Sequence, residues 1–348
     1  MTNEYFETQP NAEEPRRPVP PPVPRHRPKR SVWRIFTTVL LVLSILLNIV
    51  LIVMIIGMAS MLTPAALSEQ VVETVVVPGD HKQKIAAIHI DGIIDGRTSR
   101  WLKTQLEAAE KDPAVRGVIL HISSPGGAVA ASDRIHYEIT RFKERTRKPV
   151  VAFMQSIAAS GGYYAAVAGD TLIAEPMTIT GSIGVIMNHM IIKDLLEEKL
   201  GISPVVIKQG DRKDWPSLFN EITEEQKHYL DERIILPAYE RFVQAVYEGR
   251  RDILTESQVR ELADGSIYTA SDALDAQLID AIGYFDQAVE TVAQAANLTD
   301  PLVVEYRRKV SLRALFGAET GSSHRELVDT LLETLLVPQT LYLWDGRP

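Results

Sequence analysis

Ser160 sits between Ala159 and Gly161 in the run MQSIAASGGYYAAVAGDTLIAEPMTITGSIGVI, residues 154–186. Little side-chain bulk surrounds its hydroxyl. Such a serine can attack a carbonyl, or it can cap the short apolar helix pattern that follows. A nucleophile needs a base and donors for the oxyanion it creates. Besides the Gly161 N–H, one of two further glycine-bearing turns, SSPGG, could supply a donor; both could also simply reverse the chain. SSPGG (123–127) follows the apolar run GVILHI. Its Pro125 sets a turn, and Gly126 and Gly127 let bare backbone approach a ligand. TITGSIG (178–184) carries Ser182 near its centre.

The chain has eight histidines, and none falls in a recognisable triad signature. His89 and His121 alternate within strand patterns and read as structural. His189, soon after the TITGSIG turn, is the best histidine candidate. Lysine is the other choice of base, and Lys213 lies in KQGDRKDWP (208–216). A lysine base must be neutral, and at a pKa of about 10.4 only about one molecule in 2,500 is neutral at pH 7. Desolvation or a neighbouring cation lowers that pKa. Arg212 pushes in this direction, while Asp211 and Asp214 oppose it. On its neighbours alone, Lys213 also fits a solvated surface residue.

The elements around these groups alternate. IAAIHI (85–90), GVILHI (117–122), VVAFM (150–154), TLIA (171–174), IGVI (183–186) and PVVIKQG (204–210) read as strands. Residues 98–110, 128–143 and 190–200 read as helices. This alternation predicts an α/β domain with a largely parallel core. An amphipathic helix is expected over 223–248, kinked at Pro237, and Thr255 with Gln258 forms a capping-box pattern. LVVEY (302–306) reads as a strand and LVDTLLETLL (327–336) as an apolar helix.

Ile35 to Leu62 carries no charged residue. About 20 apolar residues span a bilayer, and a cleaved leader has a shorter apolar core. Residues 35–62 are therefore expected to cross a membrane. Residues 1–34 are rich in proline and arginine, so they read as a disordered tail kept in the cytoplasm. That orientation puts the rest of a single-pass chain outside the cytoplasm. Residues 63–84 read as a linker, 85–298 as the catalytic domain, and 299–348 as a C-terminal extension without an assigned role. A net charge of −8 argues against nucleic acid as a general partner, and a chain without cysteine has no disulfide, thiolate nucleophile or Cys-ligated zinc.

SPGG at 124–127, S-x-A-A-S-G-G-Y-Y at 156–164, TGSIGV at 180–185, G-x-x-K-D at 210–214 and ADGSIY at 263–268 occur here in that order. Over about residues 85–290 the chain resembles the short form of the signal peptide peptidase SppA family, membrane-bound serine–lysine proteases. The resemblance implies a Clp-protease/crotonase-like ββα superhelix and a ring-shaped homo-oligomer. It makes Ser160 the nucleophile, Lys213 the general base and Ser182 a serine that orients the lysine amine. Gly127 and Gly161 would form the oxyanion hole. No cofactor or metal is implied. The implied substrates are signal peptides left in the membrane after export, together with other unfolded or membrane proteins. Arg212 before the lysine is a departure from the family pattern that removes no required group. The same fold could instead house a crotonase-like acyl-CoA enzyme or a catalytically inactive membrane scaffold.

Overall fold

The computed structural model describes residues 32–62, 71–308 and 339–344. Most of the expected tail, the start of the expected linker and the apolar pattern at 327–336 lie outside the described residues. The chain divides into two units, 1–67 and 68–348, each taken by itself.

The first unit holds one helix, α1 (Val32–Leu62), which begins slightly ahead of the expected Ile35. The segment Val32–Ile55 has a mean hydropathy of 3.0, and its residues are exposed. At 1.5 Å per residue, 20 of its residues would span about 30 Å, a bilayer's hydrocarbon thickness. Its polar side chains bond back onto the helix: Thr38 Oγ1 donates to Arg34 O at 2.8 Å and Asn48 Nδ2 to Ser44 O at 2.8 Å. Self-satisfied polar groups of this kind are what a hydrocarbon environment requires.

The second unit is built on a sheet. In chain order its elements are β1 (Val71–Val77), β2 (Asp80–Ile94), α2 (Gly96–Lys111), β3 (Val115–Ala128), α3 (Val129–Thr146), β4 (Val150–Ala159) and α4 (Gly161–Ala166). Then come β5 (Thr171–Ala174), β6 (Ile179–Gly181), β7 (Ile186–Asn188), α5 (Glu224–Leu230), α6 (Leu236–Arg250), α7 (Glu256–Leu262), β8 (Ile267–Thr269) and α8 (Ala270–Asp275). The unit closes with β9 (Ala281–Ile282), α9 (Phe285–Ala296), β10 (Pro301–Arg308) and β11 (Gln339–Leu343). Strand order along the main path is β1-β10-β2-β3-β4-β5-β9. All neighbours from β10 to β9 run parallel, and β1 closes one edge antiparallel to β10.

Strand alternation divides the core between the two faces. Ala86, Ile88 and Ile90 face the helices α2, α3 and α4, while Ile85 and Ala87 face α9. Each fully buried isoleucine contributes about 1.5–3 kcal/mol relative to exposure. Two caps match the sequence: Asp95 forms a capping box at the start of α2, and Thr255 with Gln258 forms the expected one at α7.

Five expectations are corrected or narrowed. Residues 71–84 are not a linker: they form β1 and the start of β2. Their apolar pairing surface comes from β10, which is distant in sequence, so no local signal marks it. Residues 301–308, which contain the expected strand LVVEY, and 339–343 join the same sheet and are not an appendage outside the domain. PVVIKQG forms no strand. Val205 and Ile207 are 83% and 95% exposed, and the segment pairs with no strand among the described residues. The helix expected over 190–200 is shorter: residues 193–200 are helical, with a wide π-type turn at Leu195–Lys199. The long helix over 223–248 is interrupted by a π-turn at Asp231–Ile235, just ahead of Pro237.

His136 on α3 is buried and packs edge-on against Tyr164 of α4 at 5.2 Å. Burial, with the nearby Arg241 charge, holds its pKa down at about 4. Below about pH 6.5 the unfolded chain takes up this proton and the native one does not, so folding stability falls from pH 6.5 towards pH 4. From pH 7 to pH 5 the loss should be about 2 kcal/mol from this residue. Thermal melts of the parent and His136→Asn at both pH values check it; equal pH slopes would discard the assignment.

Candidate active site

β4 pairs with β3 on one side and, at its C-terminal end, with β6 on the other, with Ala159 opposite Gly181. The chain must then leave the sheet at once to begin α4. Ser160 makes that turn at φ 52°, ψ −115°, and its N–H donates to Gly181 O at 2.7 Å. A non-glycine residue so placed costs about 1–3 kcal/mol, and such strain persists only where the surroundings over-determine it. Ser182 makes a similar turn after β6 at φ 50°, its N–H bonded to Ser266 O at 2.7 Å. Because β4 and β6 are paired, both serines emerge at one end of the sheet. Both line a cavity of about 380 Å³ with Val185, Tyr239, Asp264 and Leu343. Ser160 does not cap α4, as its side chain makes no cap hydrogen bond.

The SSPGG turn ends β3 beside them. Buried Ser124 braces it, donating to Gly92 O at 2.6 Å and accepting from Gly126 N at 3.1 Å. A Cβ on Gly126 (φ 100°) would lie 1.9 Å from Tyr342 O and 2.7 Å from Gly161 N. A Cβ on Gly161 would lie 2.5 Å from Ser132 Oγ and 3.1 Å from the same Tyr342 carbonyl. Glycine at 126 and 161 is thus a condition for bringing the two turns together. Gly127, opposite Ile94 of β2, pairs in register with Tyr342.

β11 lies extended between β3 and β7, antiparallel to both. Tyr342 anchors it: its ring stacks on Tyr164 at 5.1 Å, and its hydroxyl donates to Ala238 O at 2.6 Å. A strand of peptide therefore crosses the glycine turns and sets Leu343 at the cavity beside Ser160.

Lys213 is not brought to this cavity. It is exposed, and neither its amine nor the Ser160 hydroxyl has a hydrogen-bond partner among the described residues. Its loop is held locally: Lys208 Nζ donates to Asp214 Oδ1 at 2.6 Å and to Asp211 O at 2.8 Å. Arg212 packs over the rings of Trp215 and Tyr229. Asp214 is thereby engaged by Lys208 rather than left to hold Lys213. His189 does not line the cavity either; its Nε2 pairs with Ser217 O at 3.0 Å.

Sequence reading assigned no role to Asp264, Tyr239 or Leu343. The ADGSIY motif was the available signal for Asp264, which accepts from Ser266 N at 2.8 Å. That hydrogen bonding keeps its carboxyl below the ordinary range and makes it a weak base. Nothing local marks Leu343, which reaches the cavity only through β11.

The close approach at Gly126 has a measurable cost. Gly126→Ala should lower stability by about 2 kcal/mol or more, since both the positive φ and the Tyr342 carbonyl oppose a methyl group. Gly92→Ala carries a positive φ but meets no atom within 4 Å, and should cost less. Denaturant melts of the two variants decide; equal losses would mean that the crowding at Gly126 is absent.

The family model "Peptidase family S49" matches residues 142–299. A candidate signal peptide peptidase SppA of Enterococcus faecium is 34% identical over 69% of this chain and 72% of its own length. A candidate protease of Synechocystis sp. is 38% identical over 75% of this chain and 90% of its own. Among solved structures, ClpP1 of Listeria monocytogenes superposes with a TM-score of 0.39 at 17% identity, covering 57% of this chain and 92% of that one. The last likeness is slight, and the fold rests on the sheet order described above. With Ser160 at a strained strand-to-helix turn beside two glycine turns, and relatives matched along most of their length, the chain belongs to peptidase family S49, the SppA family of proteases.

Proposed function

We propose that this protein is a membrane-anchored serine endopeptidase in which Ser160 and Lys213 form a catalytic dyad. Its substrates are signal peptides remaining in the membrane after export, and other unfolded or membrane proteins. The observation that carries the reading is the extended strand β11 laid across the glycine turns next to Ser160. A groove that accepts extended backbone there suits a peptide substrate far better than a thioester with a long cofactor arm.

In this mechanism the neutral Lys213 amine takes the Ser160 proton as Oγ attacks the scissile carbonyl. The N–H groups of Gly127 and Gly161 stabilise the oxyanion, each worth about 3 kcal/mol in comparable sites. The lysine ammonium then protonates the leaving amine, and water hydrolyses the acyl-enzyme. Ser182, at the same cavity, accepts from or donates to the lysine amine and aims it.

Lys213 must reach the cavity for this chemistry. Its loop follows a stretch of exposed apolar side chains, including Ile191, Leu200, Ile202, Val205 and Ile207. Contiguous exposed apolar surface of this kind favours association. Assembly into a homo-oligomeric ring would cover it, and would desolvate and position the lysine loop. The apolar α1 supports a single membrane pass. The arginine-rich residues before it favour a cytoplasmic N-terminus and an extracytoplasmic catalytic domain.

Ser160→Ala and Lys213→Ala should each lower kcat on a signal-peptide substrate by roughly 10⁴-fold or more, with the fold retained by circular dichroism. Parental rates in Ser160→Ala would remove the nucleophile assignment, and hydrolysis of an acyl-CoA by the parent would favour the crotonase-like reading. Topology is checked by adding protease to intact cells. The catalytic unit should be degraded and the N-terminal tail spared; the reverse pattern would overturn the orientation.

A further inference from the structure

One row of polar side chains crosses the sheet on the face covered by α9. Glu305 stands on β10, His89 and Asp91 on β2, and His121 on β3, with His89 and His121 opposite each other in register. His121 Nδ1 lies 2.9 Å from His89 Nδ1, and Asp91 Oδ2 lies 3.6 Å from that same His89 nitrogen. One ligand atom from each of the three residues falls within 4.8 Å of the others. None of these residues lines the Ser160 cavity.

We propose that His89 Nδ1, His121 Nδ1 and the Asp91 carboxylate bind a divalent transition-metal ion of borderline softness, Zn²⁺ in the first instance, with Glu305 orienting His89. Glu305 Oε1 lies 3.2 Å from His89 Nε2, while Arg307 Nη2 holds the other oxygen at 3.2 Å. A carboxylate at Nε2 keeps the proton on that nitrogen, so the lone pair of His89 Nδ1 turns inward. There it meets a carboxylate oxygen, which only accepts, and a second imidazole nitrogen. A proton on His121 Nδ1 satisfies one of these contacts and leaves the carboxylate facing a lone pair. A second proton on His89, held by Asp91 and Glu305, would serve the same contacts as an imidazolium; a metal cation satisfies all three with both imidazoles neutral.

The surroundings fit that role. Phe153 stacks on the His121 ring at 5.3 Å, and Phe285 packs on it edge-on at 6.0 Å, so the ring is held before any ion arrives. The His89 and Asp91 side chains are 31% and 61% exposed, which gives an ion access from solvent. Two nitrogens on one tetrahedral zinc stand about 3.3 Å apart, so the imidazoles need to separate by only about 0.4 Å. Imidazole nitrogen as the majority donor disfavours Ca²⁺ and Mg²⁺, which prefer all-oxygen sites. The ion would clip β2 to β3 and, through Glu305, to β10.

The test uses the full-length chain in detergent, free of any affinity tag and stripped with a chelator. Zn²⁺ alone is titrated by calorimetry, and Co²⁺ is followed by visible absorption. The expected result is one Zn²⁺ per chain, a tetrahedral-type Co²⁺ spectrum, and a melting temperature that rises with Zn²⁺ concentration. His89→Ala and His121→Ala should lose this binding. Asp91→Asn, a change at an exposed position, and Glu305→Gln should each weaken it by about 10–100-fold. Absence of stoichiometric binding by the parent overturns the proposal. So does binding that survives in the His89→Ala/His121→Ala double variant, or that is equally tight in both Asp91→Asn and Glu305→Gln.

Discussion

The hydrogen bond from Ser160 N to Gly181 O, at 2.7 Å, joins the end of β4 to the end of β6. It holds a serine where the backbone would otherwise relax. With Ala159 opposite Gly181 and Ser124 opposite Ala158, the tip of β4 is gripped from both sides, and the chain has no route into α4 except through a positive φ. The strain, about 1–3 kcal/mol, is sustained by a buried sheet whose isoleucines each contribute a comparable amount. The same pairing carries Ser182 to the cavity, because a serine just beyond β6 must emerge beside one just beyond β4.

Around that turn the molecule is crowded on one side and open on the other. Gly126 and Gly161 meet the Tyr342 carbonyl so closely that a methyl group at Gly126 has no room. By contrast, the arm from Ile186 to Ile207 exposes much of its apolar surface, and the Lys213 loop beyond it is fastened by Lys208, by its own backbone and by Arg212 and Trp215 packing on Tyr229. In the proposed mechanism, the firmly held Ser160 and the exposed Lys213 would be brought together by assembly. The histidine row on the other sheet face belongs to a different economy: it ties neighbouring strands and touches none of the cavity-lining groups.

Much of the site was legible locally. Small residues around Ser160, glycines at 126, 127 and 161, and the alternation of apolar runs with turns are properties of neighbouring residues, and they led to a parallel α/β sheet with the serine at a strand end. The Thr255–Gln258 box was legible for the same reason. The linker at 71–84 was misread, and the C-terminal segments were not placed in the sheet, because pairing between β1 and β10, or β3 and β11, depends on partners far along the chain. PVVIKQG was misread in the opposite sense: its residues favour a strand, but it pairs with none of the described strands.

By itself the sequence marked which residues could carry chemistry, where an apolar helix long enough for a bilayer lies, and which turns need glycine, because each depends on side-chain type and immediate neighbours. Only the tertiary structure decided that Ser160 and Ser182 share a cavity, that Leu343 reaches it, that Lys213 in the isolated chain does not, and that His89 and His121 stand nitrogen to nitrogen. Those are matters of strand register and loop placement, which long-range hydrogen bonding and burial set and local spacing does not encode.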